Sequence, residues 1–360
     1  MSSSLLNLDF SKLKLPRWLR SGAPAESPSS SLAVKYPPVA VDMGTTDLAL
    51  ARVVKDKEKK WSLGSCDIVE VPSGLIDNEP FVARIRSADK YGALVSASIQ
   101  KEGVKTRAIS IVLPDHLARV SILAFEELPR TRRELLDLVK WKMKKAVPFK
   151  VEDASVDYQV MPAAGIDGES AKGYSILAVL MPQAVVSEHE SVFTRQGIHA
   201  GLVELSSFSL MHLYRTVIAK DVPEGDYMLL NATPAFFTVM IHRNGQPLFY
   251  RCKSFSLTGD GGADAAARLL RREIQASVLY YQERLHGKAL ARVYMRLVGH
   301  EPEQTQLAFD RAPLGARPEM IDVGRVLALS GRMAALDPQR RAETLQRLAP
   351  AVGAAWGHTS

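Results

Sequence analysis

The sequence predicts an α/β protein of two lobes, and three observations carry that prediction. The chain has 360 residues, more than the ~100–200 of a usual single domain. Strand-type and helix-type hydrophobic patterns alternate along it. The order strand, hairpin, long helix then restarts in the second half, which points to an internal duplication.

Composition narrows the class. No run approaches the roughly 20 apolar residues that cross a bilayer, and no short apolar secretory core follows Met1. The folded part is therefore expected to stay in the cytoplasm. Cys66 and Cys252 are too few and too far apart for a disulfide framework or a Cys-based zinc site, and read as small core residues. The formal net charge of +7 suits an acidic partner or an anionic membrane surface, but the basic residues are spread over many predicted helices and read as solvated surface.

Residues 1–20 mix Leu5, Leu6, Leu8, Phe10, Leu13, Leu15, Trp18 and Leu19 with Lys12, Lys14, Arg17 and Arg20. This amphipathic extension reads either as an interfacial membrane anchor or docking peptide, or as a disordered tail interrupted at Pro16. Residues 21–36 are rich in Ser, Pro and Ala and form a disordered linker. Strands are predicted at Val39–Asp42, Leu48–Val54 and Ser62–Val71, a helix over Pro80–Glu102 and a strand at Ala108–Leu113. Thr131 and Glu134 have the spacing of a capping box, and the stripe Leu135, Leu138, Val139, Met143, Ala146 runs until Pro148 stops the helix. Strands at Ser155–Val160, Tyr174–Met181 and Ala200–Leu205, with helices Ala184–Gly197 and Ser206–Ala219, complete the first half. The second half holds strand Tyr227–Leu230, a hairpin over Ala235–Tyr250 turning at Asn244 and Gly245, helix Asp264–Leu285, strand Val293–Val298 and helix Asp337–Leu348.

Asp42, Gly44, Thr45 and Thr46 lie between two apolar strands, where a tight turn can aim backbone N–H groups and two hydroxyls at a phosphate. Gly44 allows close backbone approach, and Asp42 could hold magnesium through water. The alternative is a plain hairpin loop with local Asp and Thr hydrogen bonds. Three segments, VAVDMGTTDLAL from Val39, WKMKKAVPFKVEDASVDYQV from Trp141 and REIQASVLYYQER from Arg272, together resemble the PilM family, the actin-like cytoplasmic proteins of type IV pilus assembly, itself similar to the FtsA cell-division family. The resemblance covers about residues 37–356. It implies an α/β, actin-like (ribonuclease H-like) two-lobed fold, with lobe 1 over 37–225, an FtsA/PilM-type inserted subdomain at about 118–175, and lobe 2 over 226–356.

The family resemblance also implies a nucleotide cleft for ATP and Mg²⁺, and a groove by the insert that binds the N-terminal peptide of the inner-membrane protein PilN. Val147, Pro148, Phe149 and Tyr158 fall on the matching segment, as groove anchors or as plain core. The family's second phosphate loop presents Asp-x-Gly, but this chain has Asn231, Ala232 and Thr233. Asn231 lacks the carboxylate charge, and Thr233 adds a Cβ where glycine lets the backbone approach. The adenosine-side glycine pair reads Gly299, His300. These departures imply weak or absent ATP binding. The implied role is an adaptor, peripheral at the inner membrane, that joins membrane subunits to cytoplasmic pilus components. The rival readings are an active ATPase of the same fold, which drives assembly with Mg-ATP, and a type II secretion inner-membrane platform component. A sugar-kinase relative would need a catalytic carboxylate and a sugar site, and neither is identifiable.

No other motif adds chemistry. Gly259, Asp260, Gly261 and Gly262 before the long helix suggest a phosphate cradle, but Asp260 and Asp264 put negative charge there, so the run reads as loop and helix cap. The histidines make no H-x-H, H-x-x-x-H or H-E-x-x-H spacing, so no metal centre is expected. No G-x-S-x-G elbow or activated cysteine occurs, so no catalytic residue is assigned. Among the basic residues Arg130, Arg132, Arg133 and Lys140–Lys145, aromatic interleaving is too sparse for a base-stacking platform, and they read as a solvated helix face rather than a nucleic-acid surface.

Overall fold

Two sheets of the same strand order form the two lobes. The computed structural model describes residues 37–55, 59–77, 79–82, 85–162, 173–255, 262–306, 309, 318–329 and 331–356, apart from the side chains of 262–264 and 304. The amphipathic extension 1–20, the linker 21–36 and Gly259–Gly261 lie outside the described residues.

In the first lobe Val39–Met43 (β1), Asp47–Lys55 (β2) and Trp61–Glu70 (β3) form an antiparallel meander. Ala88–Lys101 (α1) connects it to Ala108–Leu113 (β4), which runs parallel to β1. Next, Arg119–Phe125 (β5), Arg132–Met143 (α2), Ala154–Pro162 (β6) and Tyr174–Pro182 (β7) build a separate antiparallel sheet of order β5-β7-β6. The period-2 alternation of β7 serves two cores. Ile176, Ala178 and Leu180 meet Leu135, Val139 and Met143 of α2, while Leu177, Val179 and Met181 join the first-lobe core. The chain returns through Gln183–Thr194 (α3) to His199–Leu205 (β8), parallel to β4, and Ser206–Asp221 (α4).

The second lobe repeats the plan. Asp226–Ala232 (β9), Phe236–Arg243 (β10) and Gln246–Ser254 (β11) form a meander, Gly262–Arg284 (α5) covers it, and Leu290–Leu297 (β12) lies parallel to β9. Pro302–Gln306 (α6) and Pro318–Met320 (β13) finish the sheet. Its order β11-β10-β9-β12-β13 matches β3-β2-β1-β4-β8 of the first. The duplication seen in the sequence is thus a duplication of sheet topology. Ala328–Leu329 (β14), Gly331–Ala335 (α7) and Pro338–Trp356 (α8) close the chain.

Local chemistry sets the boundaries. The Thr131 hydroxyl accepts from Glu134 N at 3.2 Å while Thr131 N donates to the Glu134 carboxylate at 3.1 Å, the reciprocal capping box. Asn244 and Gly245 have φ of 50° and 78°, the left-handed pair that a two-residue hairpin demands. Among the described residues no helix is long and apolar enough to cross a membrane.

The structure also corrects the sequence reading at its helix boundaries and in the second lobe. The helix expected over Pro80–Glu102 starts only at Ala88, because Ser87 caps it and the preceding residues pair as the bridges Ile76–Ile85 and Glu79–Val82. The last helix continues past Leu348 and through Pro350 to Trp356. Residues 328–356, placed in lobe 2 by chain order, pack on the first lobe: β14 pairs with β3, and Leu345, Leu348, Val352 and Trp356 enter its core. This helix and α4 run so close that a Cβ on Gly353 would stand 2.0 Å from the Ser209 carbonyl oxygen.

Candidate functional site: an interlobe cleft and an aromatic edge

The turn after β1 reaches the cleft between the lobes. Gly44, Thr45 and Thr46 line it with Asp42 and Asp47, facing Thr233, Pro234 and Phe236 across about 370 Å³ of space that includes open solvent. A Cβ on Gly44 would lie 2.6 Å from the Asp47 carbonyl oxygen, so closure of the hairpin alone requires glycine there. Asp47 is held by Arg347 Nε of α8 at 2.5 Å.

Arg296 of β12 fills the floor of this cleft. It is 4 % exposed, and its Nη2 stands 3.8 Å from the Asp42 carboxylate. Nη1 donates to Asn231 Oδ1 at 3.0 Å, its register partner on β9, and Nε donates to the Gln346 carbonyl at 2.8 Å. That carbonyl is available because Pro350, four residues on, has no N–H to bond it. The helix break concealed in α8 therefore serves the arginine. Asn231 Nδ2 donates to Ser206 Oγ at 2.9 Å and Ser207 Oγ at 3.1 Å. Beyond them, Asp115 accepts from Ser207 N at 3.0 Å, from Thr238 Oγ1 at 2.6 Å and from the Ser207 hydroxyl in a short bond. A buried polar chain thus runs from Asp42 through Arg296 and Asn231 to Asp115 and ties both lobes.

Burial pushes the Asp42 carboxyl up to about 7, against the pull of Arg296 and with help from Asp47 and Asp115. Asp115 is also raised by burial, while its hydroxyl and amide donors lower it. Burial lowers Arg296, and the three carboxylates oppose this.

Asn231 and Gly299 do not line the cleft with the first turn. Asn231 is fully buried behind it. Gly299 has φ of 69°, and a Cβ there would meet Pro234 Cγ at 2.8 Å. The adjacent His300 donates Nε2–H to the Thr233 carbonyl at 2.9 Å. Thr233 and His300, expected on two separate nucleotide-contacting elements, bond to each other instead. Arg296 was missed by motif reading. Its signal was a second arginine, after Arg292, in a strand whose other residues are apolar, LARVYMRL, paired with the strand that carries Asn231.

The second set of residues gathers at the insert. Val147, Phe149 and Tyr158 are half-buried against its core, and Pro148 is exposed. The Phe149 ring lies 5.5 Å from Phe81 of the first lobe, edge to face. Phe81 holds a left-handed φ of 63° while its N–H donates to the His116 carbonyl at 3.3 Å. Tyr158 Oη reaches the Arg132 carbonyl at 3.4 Å. Val147, Pro148 and Phe149 thus form an apolar edge near where the insert meets lobe 1, while Tyr158 lies by the first turn of α2.

A family model described as type IV pilus assembly protein PilM matches residues 40–271. The chain belongs to that family. Among solved structures it is similar to a PilM-PilN type IV pilus biogenesis complex, with a TM-score of 0.72 and 14 % identity over 91 % of this chain and 99 % of that one. It is also matched with a Bacteroides thetaiotaomicron protein of actin-like ATPase fold and unknown function, at a TM-score of 0.47 and 10 % identity over 88 % and 96 % of the two chains. The cytoplasmic domain of EpsL, an inner-membrane component of the type II secretion system of Vibrio cholerae, follows at 0.42 and 10 % over 86 % and 94 %. No curated relative matches the chain. This PilM-family protein therefore has the actin-like two-lobed fold. The span matched to the family ends before Arg296, so the residue that fills the cleft lies outside it.

Proposed function

We propose that this PilM-family protein is a cytoplasmic adaptor, peripheral at the inner membrane, that binds the N-terminal peptide of a PilN-like membrane protein and works with its nucleotide cleft closed by Arg296. The observation that carries the adaptor reading is the apolar edge at Val147, Pro148 and Phe149 beside Phe81, in a chain that shares its fold with a member of a PilM-PilN complex. A short peptide can seat apolar side chains on such an edge between two rigid units. Calorimetric titration with candidate N-terminal peptides tests it. The folded protein binds one of them, and Phe149→Ala weakens that binding at least tenfold. Failure of every peptide to bind contradicts the reading.

Magnesium nucleotide does not fit the residues present. A guanidinium already stands against the carboxylate that would hold the ion's water shell. Asn231 brings no charge and spends its amide on Arg296 and two serines. The intact turn at Asp42–Thr46 is what favours the ATPase reading, yet hairpin closure already accounts for Gly44. Direct titration with ATP and Mg²⁺ separates the two, and micromolar affinity would sink the closed-cleft reading.

A further inference from the structure

We propose that the C-terminal end of α2 is a docking surface for anionic phospholipid headgroups. Between Leu138 and Val151 the chain carries Lys140, Lys142, Lys144, Lys145 and Lys150 and no acidic residue. Trp141 stands among them 70 % exposed. Lys142 is tied down, its Nζ 3.9 Å from the Phe125 ring centroid and 2.9 Å from the Ala124 carbonyl. Lys144, Lys145 and Lys150 remain exposed and Lys140 half-exposed.

Lysines at a helix C-terminus are explained by the helix dipole. The dipole does not explain a large indole left in water beside them. An indole with a polar N–H and an apolar body is suited to the headgroup level of a bilayer, and lysines suit the diffuse negative potential of its surface. The charge is all lysine from Leu138 to Val151. An acidic protein segment would more naturally be met by arginine, whose planar fork pairs carboxylates bidentately. The inference rests on this surface alone and not on peptide binding or on the state of the cleft.

The test uses the full chain with vesicles of phosphatidylcholine alone, or of phosphatidylcholine mixed with phosphatidylglycerol, and no protein partner. Brominated lipid reports contact by quenching tryptophan, and Trp141→Phe isolates the contribution of Trp141 from Trp18, Trp61 and Trp356. The wild type is quenched more than Trp141→Phe on anionic vesicles and equally on neutral ones. Each lysine near an anionic surface strengthens binding about fivefold at low salt. Lys144→Gln with Lys145→Gln therefore weakens the Trp141-dependent signal about 25-fold in lipid concentration. Equal quenching of wild type and Trp141→Phe on anionic vesicles overturns the proposal, as does an affinity unmoved by the lysine substitutions. Either result would turn the search toward an acidic protein partner. The substituted side chains are surface groups, and an unchanged unfolding midpoint checks that each variant is folded.

Discussion

Arg296 governs the cleft because burying a cation requires partners, and this one has three: Asp42, Asn231 and the carbonyl that Pro350 leaves open. Replacing Arg296 by methionine strips the ion pair from Asp42 and should cost about 3 kcal/mol in urea unfolding at pH 8, the low end for breaking a buried pair, since Asp42 can protonate in reply. The Asp42 carboxyl sits near 7 when folded, above its ordinary 3.8. Between those values the native state holds more protons than the unfolded chain, so this group's effect on stability is to lower it as pH rises from about 4 to about 7. Asp42→Asn removes that dependence, flattening the stability profile by up to about 1.4 kcal/mol per pH unit. An identical slope in the variant would place the proton elsewhere. The sequence exposed the loss of aspartate at Asn231 but not its consequence, because which side chain faces Asn231 depends on the parallel register of β12 with β9, between residues 65 apart.

Elements carry the next level of order. The extra close approach of α4 and α8 depends on Gly353, whose missing Cβ makes room for the Ser209 carbonyl. Gly353→Ala should cost about 2–3 kcal/mol through forced separation of the helices, read as a lower midpoint in thermal unfolding; an unchanged midpoint would mean that the pair can shift at little cost. Elements with a strong period or a cap were legible: the capping box at Thr131, the hairpin at Asn244–Gly245 and the helix expected over Asp264–Leu285, which buries Leu270, Ile274, Val278 and Tyr281 in α5. Those that pattern could not reveal were short or interrupted. Arg119–Phe125 reads as strand only beside its partner Tyr174–Pro182. Ala328–Leu329 is two residues long, and Pro350 masks the continuation of α8. The start of α1 was misplaced because Val82 and Ile85 pair in bridges with Glu79 and Ile76 and do not belong to the helix face.

At the scale of the molecule, two copies of one sheet plan face each other, and α8 crosses back from the second to lie on the first. The polar chain from Asp42 to Asp115 joins the two lobes through side chains of this protein alone, with the arginine set against Asp42. The insert then offers its aromatic edge beside Phe81. The fold and the family were legible in three segments, while the filling of the cleft was not, since it needs both lobes in place. The decisive measurement is a calorimetric titration of the full chain with the N-terminal peptide of a PilN-like protein, in the absence and presence of Mg-ATP. The same affinity in both conditions, with no heat from ATP itself, is the predicted result; peptide binding that appears only with Mg-ATP would contradict an adaptor whose cleft is closed by its own arginine.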